Sequence, residues 1–173
     1  MEKSNLRKKD FLMHEFYVLS IGGAFQRGNV YKKDNVSEND KKNFRDKLEK
    51  ELILISNQYI EKEISGEKHI KNIQRLIDFS KNNKILNGEK LKLGTVQKLL
   101  NLYLKYLWSA TKIKIPPHCP FDRIILGKLG IKDNWTQLNN LETYKEWVDV
   151  AQKEATKINL EIAEWELEAF NRR

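Results

Sequence analysis

The chain reads as all-α, a compact multi-helix protein, on two observations. Apolar residues recur at helical spacing in segment after segment, and nowhere in the 173 residues is there a valine-rich alternating run of the kind a half-buried strand needs. The first apolar segment runs from Phe11 to Phe25. There Phe11, Leu12, Phe16, Leu19 and Phe25 outline one helical face, which the pair Gly22-Gly23 weakens. The stretch NVYKKDNVSENDKK is a loop. Ser37, followed by acids, then caps a long helix carrying Phe44, Leu48, Leu52, Ile55, Tyr59 and Ile60. A third helix holds Ile70, Ile73, Leu76, Ile77 and Phe79 on its apolar side, and KNNKILNGEKLKLG ends it.

The segment TVQKLLNLYLKYLWSA is the most apolar helix of the chain, with a broad surface of Leu99, Leu102, Tyr103, Tyr106 and Leu107. A helix so apolar belongs at the centre of the fold. All three prolines follow within five positions, in PPHCP. Proline favours the first turn of a helix, so Pro120 reads as the opening residue of a short helix to Leu129, with Asp122 held in its first turn. A turn at GIKDNW, a helix from Leu141 to Lys157 and a last one from Leu160 to Asn171 complete the chain. Two regions are expected, 1–90 as an N-terminal helical region and 91–173 carrying the site, within what can be one compact domain.

Charge and cysteine usage narrow the function. Against 24 acidic residues stand 32 Lys and Arg, a formal charge of +8, which suits a polyanionic partner. Cys119 is alone, so neither a disulfide framework nor a cysteine zinc site can form within the chain, and a reducing, cytoplasmic setting is expected. The run FLMHEFYVLSIGGAF is broken by His14 and Glu15, so no membrane span is expected. His14, His69 and His118 are scattered, and no Walker loop or dinucleotide fingerprint occurs; no metal or cofactor is expected. Cys119 beside His118 reads as a buried thiol rather than a nucleophile. Glu161, Glu164, Glu166 and Glu168 read as a solvated face.

The order GTVQK, apolar helix, CPFDRIIL resembles the helix-hairpin-helix superfamily of DNA glycosylases, and DRIIL with the closing INLEIAEWELEAFNRR is similar to its 8-oxoguanine, short archaeal-type branch. The resemblance spans about Leu91 to Arg173 and implies a degenerate helix-hairpin-helix glycosylase-like fold. It implies excision of an oxidised purine from double-stranded DNA, with Lys98 as the nucleophile on the deoxyribose and Asp122 assisting. The chemistry asks for those residue types. A neutral lysine amine can attack the anomeric carbon and leave a Schiff base, which opens an AP-lyase step, and a fixed carboxylate stabilises the positive charge that develops on the sugar.

The resemblance further implies a DNA-binding set. Gly94 and Lys92 would form the phosphate-gripping hairpin, with Gln97 and Arg123 in the same motifs. Trp108, Phe121 and Trp165, with Phe170, are pocket or wedge candidates for which core packing is the stronger explanation, His118 is a base or phosphate contact or a turn residue, and Arg172 and Arg173 approach the base from the terminus. Two features depart from the family. The hairpin keeps only Gly94 of its glycines and lacks its proline, and TKIKIPP looks like an insertion between Lys98 and Asp122. Three other readings stay open: a catalytically silent nucleic-acid- or protein-binding module of the same scaffold, a structural partner-binding helical protein, and an RNase of the HEPN type resting on the Arg-x6-His spacing of Arg7 and His14.

Overall fold

The computed structural model describes residues 2–170, and side chains from residue 7 onward. Seven α-helices are present in this span: α1 (Glu2–Phe25), α2 (Glu38–Ser56), α3 (Gly66–Phe79), α4 (Leu93–Ser109), α5 (Arg123–Lys128), α6 (Leu141–Lys157) and α7 (Ile162–Ala169). No strand occurs among the described residues; one isolated bridge joins Tyr31 to Leu86. None of the described helices is long and apolar enough to cross a membrane.

The helix α4 is the central element. Every residue from Leu93 to Asn101 is buried, and α1, α3 and the segment around Trp135 pack on it. One apolar core runs through both halves of the chain, from Tyr17 on α1 to Trp165 on α7, without a break near residue 90. Gly22 and Gly23 do not end α1. The helix continues to Phe25, and at Gly23 the missing Cβ lets Leu102 approach, since a Cβ there would lie 2.8 Å from its Cδ1. The buried face of α1 matches its apolar spacing only in part: Phe16 and Phe25 pack against the core. Tyr17, Ser20 and Ala24 face inward, whereas Phe11, Leu12, Val18 and Leu19 are exposed. The helix is apolar on two sides, so sequence spacing alone does not choose between them.

Local chemistry accounts for the other boundaries. Ser37 caps α2 in a reciprocal box: its Oγ accepts from Asp40 N–H, and Asp40 accepts from Ser37 N–H. This helix stops at Ser56, before Tyr59 and Ile60, because the chain tightens into a 3₁₀ turn that sends Tyr59 into the core. Asn140 opens α6 by accepting from Glu142 N–H. α7 is shorter than its apolar pattern, running from Ile162 to Ala169, and Asn171 lies outside the described residues.

The helix after the prolines begins later than Pro120. Asp122 is its N-cap, with extended backbone, and its Oδ1 accepts from the amides of Ile124 and Ile125. An earlier start is blocked because Gln97 of α4 takes both backbone groups of Phe121: its Nε2 donates to Phe121 C=O at 2.7 Å and its Oε1 accepts from Phe121 N–H at 3.2 Å. The proline run is thus an extended strap crossing α4, and it delivers Asp122 to a defined point.

Candidate functional site: a buried lysine beside a basic cleft

Lys98 lies in the second turn of α4 and Asp122 at the cap of α5, and the strap brings them together. Lys98 Nζ stands 3.5 Å from Asp122 Oδ2, with side chains 11% and 18% exposed. A third group completes the cluster. Nζ also sits over the ring of Trp135, 4.3 Å from its centroid, in a cation–π contact. Burial pulls the Lys98 ammonium below the usual lysine range; the Asp122 carboxylate opposes that shift, and the Arg27 guanidinium reinforces it. The sum is an amine closer to its neutral, nucleophilic form than a surface lysine.

Trp135 is held by the start of α4. Its carbonyl lies against Gly94 so closely that a Cβ on that residue would stand 1.8 Å from the oxygen. Gly94 N–H donates to Leu138 C=O at 3.0 Å, and Asn134 caps the 3₁₀ turn Trp135–Gln137 by accepting from Thr136 N–H. The role of Gly94 is therefore close packing. Its amide is already bonded within the protein, so it does not face a phosphate.

Beside the cluster opens a cleft of about 700 Å³. Arg27 from the turn after α1, Arg123 from α5, and Lys132, Asp133 and Trp135 from the following segment line it. Lys98 and Asp122 are not part of its wall, but each is in the wall's immediate neighbourhood: Arg123 follows Asp122 in the chain, and Trp135 carries Lys98 on its ring.

The other sequence candidates occupy varied places. Gln97 is wholly buried and spent on Phe121. Phe121 is itself buried, packed edge-on against Tyr144 and near Trp147. Trp165 belongs to the core and Trp108 is half-buried against it. Lys92 is exposed at the start of α4, and Arg172 and Arg173 lie outside the described residues. Of the charged face assigned to α7, Glu166 departs: it is buried and paired with Lys105 at 2.6 Å, while Lys105 Nζ lies over the ring of Phe170. His14 Nδ1 donates to Glu49 Oε1 at 2.8 Å across α1 and α2. Cys119 is buried, which pushes its thiol well above the ordinary range and keeps it protonated.

His118 enters a polar chain through the core. Its Nδ1 is 2.9 Å from Tyr144 Oη, Asn101 donates to the same hydroxyl, and its ring meets that of His69 edge-on at 4.6 Å. His69 in turn bonds Tyr59 Oη at 2.8 Å, and Asn72 donates to that hydroxyl. Burial lowers both imidazoles, His118 to about 4, so both are neutral at pH 7. These groups brace the strap against α3, α4 and α6, and none reaches the cleft.

The residues that sequence reasoning did not single out are Trp135, Arg27 and Lys132. The Asn-Trp-Thr cap at residues 134–136 is a local signal of an ordered turn, but nothing local ties its ring to Lys98. No cluster of three or more His, Cys, Asp or Glu able to hold a metal occurs among the described residues. The fold and site together define an all-helical protein with a desolvated lysine–carboxylate–tryptophan cluster at the edge of a basic cleft. No family model, curated protein or solved structure matches the chain.

Proposed function

We propose that this chain is a DNA glycosylase whose nucleophile is Lys98, acting on an oxidised purine such as 8-oxoguanine, with an AP-lyase step available from the same intermediate. The observation that carries the reading is the pair itself. A lysine with lowered proton affinity lies 3.5 Å from a carboxylate fixed at a helix cap, next to a cleft with an excess of positive charge. The sequence resemblance to helix-hairpin-helix glycosylases supports the same assignment of the two residues.

In this reading the Lys98 amine forms a bond to C1′ while the glycosidic bond breaks, its electron pair leaving with the base, which takes up a proton. Opening of the sugar ring and loss of the amine proton give the Schiff base; removal of a C2′ proton then expels the 3′ phosphate. Asp122 stands where its charge offsets the cationic character of C1′, and two backbone amides keep it from turning away. The nucleotide must leave the duplex stack before any of this, at a cost of a few kcal/mol. Lys98 must also give up its place over Trp135 to reach a sugar in the cleft.

That last requirement favours a second reading, a catalytically silent DNA-binding module in which Asp122 and Trp135 simply neutralise a buried lysine. Borohydride trapping with a duplex carrying one 8-oxoguanine separates the two. The enzyme gives a covalent adduct with wild type, none with Lys98→Ala and much less with Asp122→Asn. Absence of adduct and of base release over several lesions, with folded protein bound to the DNA, gives the module reading the field.

A further inference from the structure

Given that reading, the structure raises the question of where the DNA backbone is gripped. The start of α4 is where a hairpin would hold a phosphate, yet Gly94 N–H is bonded to Leu138 C=O and its α-carbon is covered by the Trp135 carbonyl. The small recess beside Lys90 and Lys92, about 10 Å³, is too small for a phosphate. The grip has to lie elsewhere.

We propose that the cleft formed by Arg27, Arg123 and Lys132 is the phosphodiester-binding subsite, taking the strand backbone next to the nucleotide presented to Lys98. Three observations carry this. First, the three cations come from separate parts of the fold, the turn after α1, the first turn of α5 and the segment before Trp135, and converge on one cleft of about 700 Å³, roomy enough for a sugar-phosphate unit. Second, none of the three forms an ion pair among the described residues, so no acidic partner has to be displaced before a phosphate binds. Third, the acidic groups nearby are already engaged. Asp133 accepts a hydrogen bond from Trp147 Nε1 at 2.8 Å, and Asp122 is divided between Lys98 and the amides of α5. The cleft therefore carries a positive excess, three cations against the one carboxylate of Asp133, beside the apolar side chains of Leu126 and Ile131, with Arg able to bind phosphate oxygens bidentately. Charge from side chains on three elements replaces backbone amides on one.

The test measures binding of a fluorescent duplex carrying a tetrahydrofuran abasic analogue, by anisotropy across a salt series. Each of Arg27→Ala, Arg123→Ala and Lys132→Ala is expected to weaken binding roughly 3- to 10-fold and to reduce the salt slope by about one, the signature of a lost phosphate contact. Lys42→Ala, on the exposed face of α2, leaves affinity and slope unchanged, and Lys98→Ala still binds. Full affinity in the triple variant, loss of binding in Lys90→Ala/Lys92→Ala instead, or no binding by wild type at low salt would each overturn the proposal. Binding that depends on the cleft without any trapped adduct keeps the subsite and removes the lysine chemistry, so the two readings fail separately.

Discussion

Lys98 and Lys105 project from α4 seven positions apart, two turns along one face, and each meets a carboxylate and an aromatic ring. The two clusters differ in tightness. Lys105 touches both oxygens of Glu166, at 2.8 and 2.6 Å, and Glu166 is only 3% exposed. Lys98 stands 3.5 Å from a carboxylate whose other oxygen is given to the α5 amides. Burial dominates different partners as well: it raises the Glu166 carboxyl in one cluster and lowers the Lys98 ammonium in the other. The tight pair clamps α7 to α4 and lies away from the basic cleft, whereas the loose pair adjoins it. Ion pairing of the same residue types thus serves cohesion where the contact is close and buried, and leaves an amine of lowered proton affinity where the carboxylate is shared.

Removing one partner from each pair gives the largest expected difference. Lys105→Met leaves Glu166 buried without a cation and is expected to cost ~3–5 kcal/mol, the range for a broken buried pair. Lys98→Met leaves Asp122 with its two amide donors and part of its surface in water, so its cost should stay below about 1 kcal/mol. Urea unfolding of the two variants decides it. Equal losses would mean that the Lys98 pair is as structural as its neighbour.

The second test divides the two jobs of Asp122. Asp122→Ala removes the cap and is expected to cost ~0.5–2 kcal/mol, while Asp122→Asn keeps an oxygen to accept from Ile124 and Ile125 and should cost less than half as much. Both remove the negative charge beside Lys98. Thermal unfolding separates them, and trapping should fall in both alike if charge rather than helix integrity is what the lysine needs.

The two clusters also show what the sequence could and could not reveal. Lys98 and Asp122 were legible because each sits at a local landmark, the start of an apolar helix and the residues after the prolines. The start of α2 was legible for the same reason, being written in Ser37 and the acids after it, and the expected range of α6 matches, with Asn140 holding its start. Glu166 looked like one of four acids on a solvated face, since its burial depends on a lysine 61 positions away. Trp135 reaches Lys98 only because Gly94 lets its carbonyl settle on α4, a fact about backbone approach that a residue pattern does not encode. The inward face of α1 was illegible because both faces are apolar. Gln97 was singled out as a DNA contact, but its amide is spent on the backbone of Phe121 in the strap.

The smallest effect sharpens the comparison most, because it reads Lys98 directly. A lysine whose folded-state proton affinity is lowered is protonated less readily in the folded than in the unfolded chain. Between its lowered value and 10.5 the unfolded state then binds more protons, so Lys98 makes stability rise with pH across that interval. Below the interval the cost of keeping a buried ammonium is complete; above it both states are neutral and the cost is gone. Buried phenols oppose the trend further up. Tyr59, raised to about 12, keeps its proton in the folded state beyond the point where an unfolded tyrosine loses it, so its contribution falls as pH rises past 10. The quantity to measure is therefore the difference between the wild-type and Lys98→Met stability curves below pH 10. That difference should slope upward in favour of wild type, and in Asp122→Asn the slope should begin at lower pH, because the carboxylate that holds the Lys98 proton is gone. A flat difference would mean that Lys98 titrates like a surface lysine, and the amine would then have no special readiness to attack a sugar.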